Sequence, residues 1–133
     1  MFLWVCLAIV VGFLGYVRLG ANDVARWHVA PDFTADKDFP GGTVRLVEVG
    51  ADGLARLDVV ARDTTRTLVL AGSVEEGMIT YVTRSAVIGF PDYTTVQQDG
   101  DQLKVYARLR FGRSDFGVNH ARVNRWLDAL QAR

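Results

Sequence analysis

In 133 residues the chain has one cysteine, three prolines, two histidines and no net charge. The single cysteine, Cys6, excludes an intramolecular disulfide and any cysteine-based metal cluster. Fifteen basic residues balanced by fifteen acidic ones argue against a nucleic-acid partner. At 133 residues one domain is expected, with neither a second domain nor a full dinucleotide-binding fold. His28 and His120 lie far apart, with no carboxylate pattern to orient either as a base or a metal ligand. Phe111-Gly112-Arg113 is glycine-containing but lacks the lysine and Ser/Thr of a phosphate loop. No catalytic signature, metal site or cofactor is expected.

What is present is unevenly distributed. Half of the chain is apolar and 23% is charged, so it is not a disordered tail. Residues 1–17 hold no Asp, Glu, Lys, Arg or His; every charged side chain lies from Arg18 onward. Phe2 to Val17 reads FLWVCLAIVVGFLGYV. A helix over residues 1–20 reaches roughly 30 Å at 1.5 Å per residue, the thickness of a bilayer core. Trp4 and Tyr16 sit near its two ends as interfacial aromatics would, and Arg18 can snorkel to the headgroups. A cleaved signal peptide is the competing reading. The segment lacks a basic start, and Leu19-Gly20-Ala21 is a poor cleavage site. A lipoprotein cysteine at Cys6 would need a charged start and a longer apolar run before it. Residues 1–21 are therefore read as a transmembrane anchor touching the lipid bilayer. Arg18 and Arg26 after the helix lean toward a cytoplasmic domain by the positive-inside rule.

Residues 22–42 read as a polar connector holding Pro31, Pro40 and Gly41-Gly42, with Trp27 and Phe33 as docking points. Residues 43–133 read as the folded domain. Thr43–Val49 alternates as a strand, and Leu54, Leu57 and Val60 recur at helical spacing over 53–62. Strand signals follow at 65–71, 78–88, 93–98 and 103–111. The last carries a strict period of two, and Asp99-Gly100-Asp101 supplies a hairpin turn before it. Val118, Val123, Trp126, Leu127 and Leu130 mark a closing helix over 118–131. The fold class is α+β: an N-terminal transmembrane helix, then a small antiparallel sheet packed against helices on one face.

The remaining signal is Arg-Phe-Gly-Arg-Ser-Asp-Phe-Gly-Val-Asn at 110–119, where a strand ends and a helix begins. Ser114 or Asp115 can accept bonds from free amides at the helix start. Lys104 to Arg133 holds seven basic and two acidic residues, a local charge of +5. A helix start flanked by arginines suits a small anion, and the same basic face suits anionic lipid headgroups. The bland alternative is that Asp115 caps the helix and pairs with a neighbouring arginine.

Tyr81-Val82-Thr83-Arg84-Ser85, Gly89-Phe90-Pro91-Asp92-Tyr93, and Gly112-Arg113-Ser114-Asp115-Phe116-Gly117-Val118-Asn119 with Arg122 resemble the bacterial domain of unknown function 1499 family. The resemblance covers roughly residues 25–131, and Arg26-Trp27-His28-Val29 fits one branch. It implies a domain boundary and no particular reaction. Family members usually begin with a membrane anchor or an export signal, which implies a periplasmic domain. The resulting expectation is a single-pass protein of the bacterial inner membrane. Its domain would serve binding or assembly, as an accessory subunit of a larger membrane complex. The alternative is a small-anion receptor or an enzyme using Arg84, Asp92, Arg113, Asp115, Asn119 and Arg122.

Overall fold

A computed structural model of the chain describes residues 1–20 and 22–132; Ala21, the expected end of the anchor, and Arg133 lie outside the described residues. The chain begins with an apolar helix, α1 (Phe2–Leu19), and a one-turn helix, α2 (Val24–Trp27). Six strands and two longer helices follow: β1 (Lys37–Phe39), β2 (Gly42–Glu48), α3 (Gly53–Arg62), β3 (Thr67–Ser73), β4 (Met78–Arg84), β5 (Pro91–Asp99), β6 (Gln102–Leu109) and α4 (Val118–Gln131). The strands form one antiparallel sheet in the order β1-β2-β6-β5-β4-β3. β3 to β6 run as a meander, while α3 carries the chain from β2 to the far edge of the sheet.

The period-two pattern of β6 decides how the layers form. Leu103, Val105 and Ala107 point to one face, where they join Ile79, Tyr81 and Val96 in the main core. Helices α3 and α4 cover this face with Leu54, Leu57, Val123, Trp126 and Leu130. Trp126 meets Tyr81 edge-on at 5.6 Å and donates its indole N–H to Thr64 Oγ1 at 2.9 Å. The Asp52 side chain caps nothing at the start of α3. The Leu54 amide instead donates to Gln98 Oε1 (2.8 Å), and Gln98 Nε2 donates to the Gly50 carbonyl. The sheet itself therefore pins the crossover helix.

The other face of the sheet is covered by the segment read as a connector. Trp27 stacks on Tyr93 at 4.1 Å and Phe33 packs edge-on against Tyr106 at 5.0 Å, so both serve as docking points. Residues 37–39 pair with β2 as β1, so the sheet starts inside this segment. Arg108 lies buried beneath it, donating to Thr95 Oγ1 and the Trp27 carbonyl, with Tyr106 and Trp27 rings over its guanidinium. Burial lowers the Arg108 pKa to about 10. β4 ends at Arg84, short of the expected residue 88. Ser85 Oγ accepts the Gly89 and Phe90 amides there and turns the chain back into β5.

Candidate functional site

The end of α1 is built into the domain. Val17, 2% accessible, is the one fully buried residue of this mostly exposed helix. Its carbonyl accepts Arg84 Nη1 at 2.8 Å, and the same nitrogen donates to the Gly89 carbonyl. Arg18 reaches back to the carbonyls of Val87 and Ile88. Phe13 packs on Phe90, Tyr16 on Phe111, and Phe90 on Phe111, with ring centroids about 6 Å apart. Gly89 permits this approach. Its φ is +85°, and a Cβ there would lie 3.0 Å from Arg18 Cγ.

Four of the six candidate residues come together as a hydrogen-bonded chain from the 110–119 loop to the sheet. Asp115 accepts the Gly117 amide (2.8 Å) and the Asn119 amide (3.2 Å), and its Oδ2 also takes the Asn119 side chain at 2.7 Å. Asn119 is fully buried, and its Oδ1 accepts Arg122 Nη1 at 2.7 Å. Arg122 then pairs with Asp92 on β5 at 3.2 Å. Gly117, at φ +81°, makes the turn that aims the α4 amides at Asp115. Burial pushes the Asp92 carboxyl up from its ordinary value against the pull of Arg122, and burial lowers Arg122. The chain fastens the start of α4 to β5.

The other two candidates lie apart from this chain. Arg84 is engaged with the end of α1, and Arg113 is exposed on the loop. Beside the loop is a cavity of about 250 Å³ between Phe90, Leu109, Phe111 and Val118, with Asp92, Ser114 and Asp115 at its wall. A larger cavity of about 460 Å³ opens on the β3–β4 side of α1, with Arg18, Arg66 and Arg84 in its lining.

The topology also assembles groups with no local sequence signal. Asp38 on β1 lies 3.0 Å from His120 Nδ1 on α4, and Arg45 on β2 reaches both, so His120 does have an orienting carboxylate. The Thr43 hydroxyl, 2.5 Å away, then His120 and Arg45, hold the Asp38 pKa down at about 2. Arg66 and Arg18 meet Arg84 only because β3, β4 and the end of α1 converge. Among the described residues no group of three or more His, Cys, Asp or Glu side chains is placed to hold a metal ion.

A six-stranded antiparallel sheet with two helices on one face and an apolar helix packed at its end defines the class: a small α+β domain joined to its own N-terminal helix. The chain belongs to the family described as protein of unknown function (DUF1499), which it matches over residues 31–130. That match takes in the whole sheet and nearly all of α4, and leaves α1 and α2 outside. No curated protein and no solved structure matches the chain.

Proposed function

We propose that this is a single-pass, membrane-anchored binding module whose domain is clamped to the end of its own membrane helix and displayed at the bilayer surface. The observation that carries the reading is the junction. α1 is long and apolar enough to cross a membrane, and it is fully buried only at Val17, where its last turns pack on the domain. A helix whose last turn completes the domain's packing fits an anchor better than a leader to be removed. Binding or assembly is favoured over catalysis because Asp92, Asp115, Asn119 and Arg122 are occupied with one another and with backbone amides. We propose that such a module serves as an accessory subunit of a larger complex in the bacterial inner membrane. A periplasmic domain follows from the export signals usual in the family. The arginines at the helix end support the opposite side, and a fusion of a reporter active on one side alone decides between them.

The test of the anchor is alkaline carbonate extraction of membranes from cells making the full chain. The protein is expected to stay in the pellet; release into the supernatant would overturn the reading.

A further inference from the structure

We infer that the cavity lined by Arg18, Arg66 and Arg84 binds the phosphodiester headgroup of an anionic phospholipid. The inference rests on the anchored reading above and adds a ligand to it. Three arginines, Arg18, Arg66 and Arg84, line one concavity of about 460 Å³, within the usual size of a small-molecule site. Among the described residues no carboxylate pairs with any of the three. Their partners are main-chain carbonyls: Arg18 to Val87 and Ile88, Arg66 to Arg84, Arg84 to Val17 and Gly89. A guanidinium has five N–H donors, so each keeps unused donors while its position is fixed. Fixed, uncompensated guanidiniums suit the two free oxygens of a phosphodiester.

Position separates a lipid from a free anion. The cavity adjoins the last turn of α1, where an anchored helix places the headgroup layer. Large apolar side chains stand exposed around it: Leu68 in its wall is 72% accessible and Val87 beside it is 81% accessible. A small anion would use the arginines and leave these side chains in water. An amphiphile uses both, with its phosphate on the arginines and its glycerol and upper acyl carbons on Leu68 and Val87.

The experiment uses the full chain in nanodiscs of phosphatidylcholine alone and of phosphatidylcholine mixed equally with phosphatidylglycerol. Entry into the pure phosphatidylcholine discs reads the anchor, and failure there sinks the anchored reading and not the pocket alone. Lipid kept by the protein after gentle release from mixed discs is then counted by native mass spectrometry. Wild type is expected to keep phosphatidylglycerol over phosphatidylcholine by about tenfold, the worth of one lost charge-assisted contact in binding terms. Arg66→Gln is expected to fall to near parity while melting as wild type does in phosphatidylcholine discs. Arg113→Gln, an exposed arginine outside the cavity, is expected to keep the preference. No preference in wild type, or equal losses in the two variants, would overturn the pocket. Inorganic phosphate stabilising the protein in phosphatidylcholine discs as fully as phosphatidylglycerol does would overturn the lipid assignment.

Discussion

At the residue scale, Arg122 shows what the conspicuous loop does. It is buried, and both of its named contacts are inside the protein, to Asn119 and Asp92. Removing it leaves Asp92 buried without its counter-ion, a change that typically costs about 3–5 kcal/mol. Arg122→Ala is therefore expected to lower stability by about that amount in urea melts near neutral pH. The cost should shrink as the pH falls. The folded-state pKa of Asp92 is already raised, and protonation removes the buried charge. Exposed Arg113→Ala is expected to stay within about 0.5 kcal/mol of wild type. Similar small effects from both would show that the chain from Asp115 to Asp92 does not fasten α4. The sequence made part of this legible. Asp115 and Asn119 are close enough along the chain for a capping role to be read directly. The Arg122–Asp92 pair and the Asp38–His120 contact span 30 and 82 residues, and only strand order brings them together. Arg66 had no signal at all, since one arginine between threonines looks like any solvated side chain.

At the scale of elements, local pattern was enough wherever one face is buried and the other wet. The helices at 53–62 and 118–131 and the alternating strand β6 fall where periodicity places them. Pattern failed where side-chain bonds set the boundary. Ser85 ends β4 by accepting two amides, a decision invisible in a run that continues Ser-Ala-Val-Ile. It failed again between 22 and 42. Prolines, glycines and acids read as a spacer, yet Trp27 is fixed by Tyr93, far along the chain, and residues 37–39 turn through Pro40-Gly41 to pair with the adjacent β2. α4 is the element on which the main core most depends. Trp126 is 3% accessible; its ring meets Tyr81 on β4 and its N–H meets Thr64 in the turn after α3. Trp126→Ala is expected to cost about 3–5 kcal/mol, the usual range for emptying a core aromatic. A loss under about 1 kcal/mol, the scale of a surface change, would mean that this face of α4 is not core.

At the scale of the molecule, helix and domain form one packed body, and this fixes where the domain sits. Phe90 lies against Phe13, six residues before the end of α1, a rise of about 9 Å along the helix. If α1 crosses the bilayer, the 85–90 turn and Phe111 are level with its last turns, inside the interface and not above it. Val87 and Phe116, 81% and 93% accessible, are then lipid-facing tips and not water-facing ones. The β3–β4 turn, with Glu75 and Glu76, is at the opposite end of the strands and on that placement faces water. The most direct measurement places a nitroxide on a cysteine introduced at Val87, at Phe116 or at Glu75, in a Cys6→Ser chain within phosphatidylcholine nanodiscs. Collision rates with oxygen and with a water-soluble nickel chelate are then compared. The account predicts that oxygen dominates at positions 87 and 116 and the nickel chelate at 75. Nickel dominance at all three positions would contradict it, because the domain would then stand clear of the membrane.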